Sequence, residues 1–401
     1  MEVAVKQDNG APGGRLPARP EGLVDLLPGQ ARRRRELEDA MLRPFHAWGY
    51  EPVQTPALEL MSTVALGVRG EQLQRLFKFA DSGGDLVALV GERTVPAARV
   101  AAGQLRGAPR PLRLCYIGPT FAAYPPGGGR RESSQAGAEL IGSASAAADA
   151  EVVALAIEAL AGSGLEAFQV EIGHVGFFGG LMEGLGDAER RLVGDALAGR
   201  DLVELEQALA GTPLAERERR LLLRFPALRG GPELLDAARG MVDNPVSGAA
   251  LDRLEAVYAL LQAHGVERWV NIDLGAVRDF DYYTGLIFEA FATDAGAPVA
   301  AGGRYDALLR RFGRDEPATG FVVLLDRVQQ LLEGARNGVG QRPDGVLVGH
   351  QGDVAAAVRA CAELRSRGQR AVLEPEAVDP AAIAGLAAAR GLARGLMADG
   401  G

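Results

Sequence analysis

The sequence predicts an α+β fold, in which a mostly antiparallel sheet flanked by helices is followed by a small α/β unit. From Leu76 to Gly142, short apolar runs are separated by turn signals such as Asp81-Ser-Gly-Gly84, which is typical of antiparallel strands. Residues 181–265 have helical periodicity and no strand signal. Beyond residue 345, two short apolar runs alternate with helical segments. We therefore expect an antiparallel core with a helical insert and a C-terminal α/β appendix.

The domain boundaries follow from composition along the 401 residues. Residues 1–18 are rich in Gly, Pro and Ala without the apolar run of a signal peptide, so we expect a disordered extension. The core fold is expected over 19–334, with the insert at about 181–265, and the small C-terminal unit over 345–401. No apolar stretch long enough to cross a bilayer is free of charges, which predicts a cytoplasmic protein without a membrane partner.

The first helix is predicted from about Pro28 to Trp48, with Gly49 in the position of a left-handed cap. Its apolar residues recur at helical spacing on one face, which comprises Leu37, Met41, Phe45 and Trp48. The run from Arg32 to Arg35 has two interpretations, a contact with nucleic acid or a solvated helix end paired with the acidic residues that follow. The solvated helix end is favoured.

Charge and composition argue against several classes of function. The formal net charge is −9, whereas a protein whose main partner is nucleic acid usually carries a basic face. The two cysteines, Cys115 and Cys361, are interpreted as core residues. The four histidines lack the spacing of metal ligands. We therefore expect no nucleic-acid partner, no metal and no cofactor.

Polar residues in three segments of the chain suggest a ligand pocket. A small zwitterion needs a carboxylate opposite its ammonium group and a guanidinium opposite its own carboxylate. Groups of this kind are available from Glu92, Gln135, Glu139 and Arg278. The alternative is that these are structural strand residues with local hydrogen bonds, and the residue types alone leave both interpretations open.

Longer motifs carry a resemblance to a known family. The segments Val277 to Glu289 and Ala301 to Asp306 resemble the histidine-specific signature of class II histidyl-tRNA synthetases. The segment ending at Pro56 resembles motif 1 of this class, and Gly320 to Arg327 resembles motif 3. The resemblance runs from about Arg19 to Leu332. It implies a class II aminoacyl-tRNA synthetase-like antiparallel sheet flanked by helices.

Departures from the synthetase pattern fall in the half of the site that would bind ATP. Motif 2 of the synthetase opens with Phe-Arg, whose arginine holds the α-phosphate, but here the pair is Phe121-Ala122. A motif 3 glycine that lets the nucleotide lie against the backbone is replaced by Leu324, whereas Arg327 remains. Removing one preorganised group of this kind typically costs about 2.7–4 kcal/mol of transition-state stabilisation. The resemblance therefore predicts that the chain is not an enzyme and has no catalytic residues.

The positions that bind histidine in the family are retained. By resemblance, the ligand's amino group is assigned to Glu92, Thr94 and Gln135, its imidazole to Glu139 with Tyr282 or Tyr283, its carboxylate to Arg278, and closure of the site to Tyr305. Loss of the ATP half beside retention of the amino-acid half is the pattern expected of a sensor.

The segments Gln135 to Gly142 and Gly173 to Phe178 resemble a synthetase paralogue, the regulatory subunit of ATP phosphoribosyltransferase, more closely than the synthetase. The resemblance implies a non-catalytic subunit required for the first step of histidine biosynthesis and for its feedback regulation by histidine. The implied partners are L-histidine, a second copy through the motif 1 face, and a short-form catalytic subunit in a hetero-octamer. Whether histidine binds in this pocket or at a subunit interface stays open.

Two alternatives remain from the sequence. One is an active histidyl-tRNA synthetase, which pyrophosphate exchange with histidine and ATP would reveal. The other is an amino-acid-binding stress sensor, which would recover a kinase or a ribosomal factor in a pull-down.

Overall fold

The structure is a computed structural model, and it describes residues 19–68, 70–125, 129–199, 201–276, 282–293, 295–335 and 344–398. The extension predicted over 1–18 and the candidate site residue Arg278 lie outside these ranges. The chain divides into two compact units, Met1–Leu332 and Glu333–Gly401. Within the described ranges, no helix is long and apolar enough to cross a membrane.

The first unit contains a large sheet and a small one. Its strands are β1 (Glu51–Pro52), β2 (Leu58–Leu60), β3 (Lys78–Ala80), β4 (Leu86–Leu89), β5 (Leu112–Phe121), β6 (Glu132–Ile141), β7 (Phe168–His174), β8 (Arg229–Gly230), β9 (Val270–Asp273), β10 (Leu286–Ala292), β11 (Ala300–Arg304) and β12 (Ala318–Leu324). The large sheet has the order β1-β5-β6-β12-β11-β10-β7-β9-β8, and the small sheet has the order β2-β4-β3.

The large sheet is antiparallel at its centre, from β5 through β6, β12, β11 and β10 to β7. The predicted antiparallel core is therefore confirmed. Parallel pairs flank this centre, β1 with β5 on one side and β7 with β9 on the other. The sequence did not predict these parallel edges, because β1 has two residues and β9 four, too few for a clear pattern.

Helices of the first unit pack around this sheet. They are α1 (Pro28–Ala47), α2 (Met61–Gly67), α3 (Gly70–Gln74), α4 (Thr94–Ala102), α5 (Ala146–Gly162), α6 (Val175–Leu181), α7 (Asp187–Gly199), α8 (Leu202–Leu209), α9 (Glu216–Leu223), α10 (Glu233–Arg239), α11 (Pro245–Ala263), α12 (Asp306–Arg311) and α13 (Leu325–Ala335). Short 3₁₀ turns lie at Phe225–Ala227 and Glu267–Trp269.

The main core lies between α1, α5 and one face of the large sheet. Side chains alternate between the two faces of a strand, so β6 turns Ala136, Ala138 and Leu140 toward this core. Met41 and Phe45 of α1 are completely buried against them. Each large apolar side chain that is fully buried contributes about 1.5–3 kcal/mol relative to leaving it exposed. The opposite face of the sheet carries a second apolar cluster, which includes Leu114, Ile141 and Ala318, beside its polar residues.

The interpretation of Arg32 to Arg35 as a solvated helix end is wrong for Arg34. The Arg34 side chain is buried and donates hydrogen bonds to Asp326 and Gln329 of α13, at 2.6 and 2.8 Å. Arg34 lies three residues before Leu37 and therefore on the buried face of α1. This arginine fastens α1 to the start of α13.

The segment predicted as a helical insert consists mainly of α7 to α11. It also contains the two-residue strand β8, which pairs with β9 at the edge of the large sheet. The expectation of an insert without strands is therefore wrong in this detail, because two residues leave no periodic signal. Arg229 of β8 donates to Glu171 at 2.6 Å and to Asp273 at 3.1 Å, which anchors the insert to the sheet edge.

The second unit is a small parallel sheet with one helix on each face. It comprises β13 (Val346–Gly349), α14 (Val354–Ser366), β14 (Ala371–Leu373), α15 (Ile383–Ala389) and β15 (Arg394–Met397), with the strand order β14-β13-β15. Cys361 of α14 packs with Val346 and Val348, and Ile383 of α15 packs with Leu347. The sequence predicted only two strands here, because Arg394 and Gly395 hide the apolar pattern of β15.

Candidate functional site

Two glycines make room for polar side chains on the sheet face opposite α5. Gly137 of β6 is paired with Tyr116 of β5, and a Cβ atom at Gly137 would lie 2.6 Å from the tyrosine ring. Gly320 of β12 is paired with Glu139 of β6, and a Cβ atom at Gly320 would overlap the Glu139 carboxylate. These glycines allow a tyrosine and a carboxylate to lie flat across neighbouring strands.

Glu139 is the centre of the candidate site and is only 1% exposed. The Tyr116 hydroxyl donates to its Oε1 at 2.8 Å, and the Tyr305 hydroxyl donates to its Oε2. Burial raises the pKa of Glu139 to about 8, because the charged form loses its water, while the hydrogen bonds from Tyr305 and Tyr116 act to lower the pKa. The carboxyl group therefore changes its proton occupancy at a pH just above neutrality.

Glu92 supplies a second, half-buried carboxyl group just before α4. It accepts hydrogen bonds from the backbone amides of Thr94 at 2.8 Å and Val95 at 3.0 Å. Burial raises its pKa, while these two amides act to lower it. The Thr94 Oγ1 atom lies 3.4 Å from the Tyr116 hydroxyl, so the groups around Glu92 and Glu139 form one connected cluster.

The intervening Arg93 does not neutralise this cluster by direct pairing. Its guanidinium donates to the carbonyl of Pro119 at 2.7 Å and also to the backbone and hydroxyl of Thr55. Gly118 lets it pass, because a Cβ atom there would lie 2.5 Å from the guanidinium carbon. Arg93 thus links β5 to the segment after β1.

Three tyrosines form an aromatic wall beside Glu139. Tyr282 stacks on Tyr305 with ring centroids 5.5 Å apart, and it meets the edge of Tyr283 at 5.0 Å. Offset and edge-to-face arrangements of this kind are the favourable geometries of aromatic pairs. Burial raises the pKa values of Tyr282 and Tyr305 well above their ordinary value, so both hydroxyls stay protonated near neutrality.

Gln135 lies on the same face of β6, four residues before Glu139 and therefore about 13 Å along the strand. Its side chain is 9% exposed, and its Oε1 atom has no hydrogen-bond partner among the described residues. A buried polar group without a partner costs about 1–3 kcal/mol. Gln135 therefore offers an acceptor to a ligand that carries a donor.

Six candidate residues from the sequence lie in the connected cluster, namely Glu92, Thr94, Glu139, Tyr282, Tyr283 and Tyr305. Gln135 shares their face of the sheet. Tyr116 belongs to the cluster but is not among the residues predicted from the sequence, because it lies within one of the short apolar runs of the predicted strand region. A hydroxyl-bearing ring in such a strand was the available signal.

The region that would hold ATP in a synthetase has different chemistry. Leu324 is paired with Gln135, so an aliphatic side chain stands on β12 at this level of the sheet. The guanidinium of Arg327 donates to the carbonyl of Pro298. Ala122 has only a methyl group to present. Among these positions, only Arg327 is cationic, and it already has a protein partner.

Two further arginines near this region also have protein partners. Asp326, in the first turn of α13, accepts hydrogen bonds from Arg130 at 2.7 Å and from Arg34 at 2.6 Å. It also accepts the backbone amide of Ser134 at 2.7 Å. One carboxylate thus holds α1, the segment before β6 and α13 together.

The described arrangement suits a small ligand with several hydrogen-bond donors. Glu92 and Glu139 provide carboxyl groups, Gln135 provides an unpaired amide oxygen, and the tyrosines provide a flat apolar surface. An amine or a ring N–H would satisfy these acceptors, and burial would strengthen each charge-assisted bond.

Comparison with known proteins gives consistent results. The sequence pattern of the family described as Histidyl-tRNA synthetase matches residues 22–328. The ATP phosphoribosyltransferase regulatory subunit of Moorella thermoacetica is 42% identical over 93% of this chain and 96% of its own length. That of Desulforamulus reducens is 40% identical over 88% of each chain.

Solved structures agree with this relationship. A crystal structure of an ATP phosphoribosyltransferase regulatory subunit/histidyl-tRNA synthetase from Bacillus halodurans superimposes with a TM-score of 0.85 at 30% identity, covering 97% of this chain and 100% of the other. Histidyl-tRNA synthetase from Nostoc shares the fold, with a TM-score of 0.79 at 20% identity over 94% of this chain and 90% of its own. The chain therefore belongs to the ATP phosphoribosyltransferase regulatory subunit family and has the class II histidyl-tRNA synthetase-like fold.

Proposed function

We propose that this chain is a non-catalytic, histidine-binding regulatory subunit of a cytoplasmic ATP phosphoribosyltransferase. The observation that carries the proposal is the contrast within one sheet face. A buried cluster around Glu139 suits an amino acid, whereas Ala122 and Leu324 stand where a synthetase would handle ATP. The relatives are named as regulatory subunits of ATP phosphoribosyltransferase, which supports a catalytic subunit of that enzyme as the partner.

The ligand would lie between β6, α4 and the tyrosine wall. Its ammonium group would meet Glu92, Thr94 and the free oxygen of Gln135, which would give that buried acceptor a donor. Its imidazole would meet Glu139 and Tyr282 or Tyr283. Arg278 would bind the ligand carboxylate, and Tyr305 would close the site.

Adenylation would fail for electrostatic and steric reasons. The reaction needs positive charge preorganised on the α-phosphate, and Ala122 carries none. Leu324 would occupy space needed by the nucleotide, and the Arg327 guanidinium is engaged by Pro298. The competing function, an active histidyl-tRNA synthetase, is favoured by the family match over residues 22–328 and by retention of Arg327.

Assembly with other chains is the remaining part of the proposal. A homodimer through the motif 1 face is supported by an apolar surface just after Pro56. There, Leu58, Leu60 and Phe79 are each more than 40% exposed on one face of the β2-β4-β3 sheet. Two such dimers with short-form catalytic subunits would form the hetero-octamer. Feedback would then require histidine to bind the inhibited arrangement more tightly than the active one.

Calorimetric titration of the purified chain with L-histidine and, separately, with ATP tests the proposal. We expect histidine to bind and ATP to give no signal. Adding the chain to a short-form catalytic subunit should then raise phosphoribosyl transfer, and histidine should lower it. Binding of ATP together with pyrophosphate exchange would instead identify a synthetase. Loss of histidine binding in Glu139→Gln, with retention in Glu166→Gln at an exposed carboxyl, would locate the ligand.

A further inference from the structure

A completely buried carboxylate lies on the core side of the large sheet, behind the pocket. Asp149, in the first turn of α5, is 0% exposed. Its Oδ2 atom lies 2.7 Å from the guanidinium of Arg253 of α11, and its Oδ1 atom lies 2.7 Å from that of Arg304 of β11. Because a buried charge is costly without partners, the position of each arginine depends on Asp149.

Arg304 in turn holds both segments that supply the pocket tyrosines. The next residue along the chain is Tyr305, whose hydroxyl binds Glu139. The backbone carbonyl of Arg304 accepts a hydrogen bond from the amide of Thr284 at 2.7 Å, and Thr284 directly follows Tyr282 and Tyr283. A shift of Arg304 would therefore move the tyrosine wall relative to Glu139.

The side chain of Arg304 has little freedom to move independently. It is 4% exposed and also donates to the carbonyl of Ser143 and to Asp306, both at 3.0 Å. Gly285 provides the passage for it, since a Cβ atom there would lie 2.9 Å from the Arg304 Cδ. Displacement at Asp149 is thus transmitted to the backbone of β11 rather than absorbed by side-chain rotation.

We propose that Arg253, Asp149 and Arg304 form a relay that couples the helical insert to the ligand pocket, with Arg253 as a positioning residue. Arg253 belongs to α11, the last helix of the insert, and its other hydrogen bond goes to the carbonyl of Ala144 at 2.7 Å. Movement of α11 shifts the Arg253 guanidinium and thereby the Asp149 carboxylate. Because Asp149 also binds Arg304, this shift changes the position of Tyr305. By reciprocity, a ligand that fixes Tyr305 steadies α11. The relay rests on the proposed function only for the identity of the ligand.

The test compares two arginine variants on the insert. Arg253→Met removes the guanidinium from Asp149 at a side chain that is 24% exposed. Arg239→Met is the matched control. It breaks the surface ion pairs that Arg239 of α10 makes with Asp252 and Glu255 of α11, the helix that also carries Arg253. We expect Arg253→Met to weaken histidine binding by about fivefold, a typical coupling between contacting networks, and the control to leave it unchanged.

Hydrogen exchange at the Tyr305 amide gives a readout that needs no ligand. This amide donates to the carbonyl of Ala318 at 2.8 Å, and its exchange should accelerate in Arg253→Met but not in the control. Arg253→Lys keeps the positive charge and should restore part of the protection of the Tyr305 amide. This second variant also keeps the test usable if Arg253→Met does not fold. Unchanged exchange at Tyr305 in both Arg253 variants would overturn the relay. A wild-type chain that does not bind histidine would overturn the proposed ligand, while the exchange experiment would still decide the relay.

Discussion

The pair of strands β6 and β12 carries different side chains at two levels four residues apart, which gives the two levels different chemistry. At one level, Glu139 faces Gly320, and the missing side chain leaves room for a buried carboxylate with two tyrosine partners. Four residues away, Gln135 faces Leu324, whose side chain stands on the same face. The backbone pairing is continuous through both levels. The difference teaches that a glycine on one strand decides whether a buried carboxyl group fits on its neighbour.

The largest expected effect comes from adding a side chain at Gly320, opposite Glu139. Gly320→Ala would place a Cβ atom against the Glu139 carboxylate and 2.7 Å from the Ala138 carbonyl oxygen. Overpacking of this kind typically costs about 1–3 kcal/mol of stability. We expect histidine affinity in calorimetry to fall by about 100-fold, equivalent to about 3 kcal/mol. Gly162→Ala, at a helical glycine with open space around it, should leave affinity unchanged. Equal affinities in the two variants would contradict the pocket geometry.

A smaller effect is expected from removing one tyrosine hydroxyl. Tyr116→Phe leaves the Glu139 Oε1 atom without its 2.8 Å donor, and an unsatisfied buried acceptor costs about 1–3 kcal/mol. The free energy of unfolding in urea should fall by about that amount, and histidine affinity should fall by about tenfold. Tyr258→Phe on α11 serves as the control. A Tyr116→Phe variant with wild-type stability would mean that the hydroxyl does not stabilise Glu139.

The pH dependence of stability reports on the buried carboxyl group of Glu139. The folded pKa of Glu139 is about 8, above its ordinary value of 4.5, so folding favours the protonated form. Its contribution is complete below pH 4.5 and is lost as the pH rises through 8. His174 acts in the opposite sense, because burial lowers its pKa from 6.5 to about 4, and its contribution changes only below pH 6.5.

Measurement of the melting temperature between pH 6.5 and 8.5 therefore isolates Glu139 from His174. We expect the wild-type melting temperature to fall by a few degrees over this range, because each pH unit below the folded pKa of about 8 removes about 1.4 kcal/mol of stability. Glu139→Gln should flatten this slope in part, since burial also raises the pKa of Glu92. Glu166→Gln should keep the wild-type slope. An identical slope in Glu139→Gln would show that Glu139 does not titrate in this window.

The smallest expected effect is weak ATP binding gained by substitution at Ala122 and Leu324. The double variant Ala122→Arg, Leu324→Gly adds a guanidinium and removes the aliphatic obstruction. We expect ATP binding to become detectable in equilibrium dialysis with a Kd of about 1 mM, equivalent to about −4 kcal/mol. Leu324→Gly alone should stay without detectable binding, because it adds space but no charge. ATP binding by the wild-type chain would contradict the proposal that this chain does not bind ATP.

The antiparallel centre of the sheet and the polar cluster could be predicted from sequence because they leave local signals. Glu139, Tyr282, Tyr283 and Tyr305 fall in segments that also carry the family resemblance. The prediction that Arg34 is solvated is wrong, although the helix itself is confirmed. The spacing of Arg34 from Leu37 places it on the buried face of α1. A charged residue on an apolar helical face indicates a distant partner, here Asp326.

The parts that sequence reasoning missed depend on contacts between distant segments. Asp149 meets Arg253 and Arg304, and nothing in the local sequence around any of these three indicates the others. Tyr116 is not predicted as a site residue, because strand alternation cannot distinguish a packed phenol from a hydrogen-bonded one. Short strands such as β8 and β15 were missed because two to four residues carry too little periodicity.

The pairing of β6 with β12 has a consequence for how the chain is made. While the ribosome is still synthesising the helical insert, β6 has only β5 as a neighbour, because its second partner has not yet been translated. An unpaired strand edge is a template for wrong associations, and closing it requires contacts between residues that are far apart in sequence. The pocket can therefore form only late in biosynthesis, when Tyr305 and Gly320 reach Glu139, and a nascent chain that stalls within the insert exposes this edge.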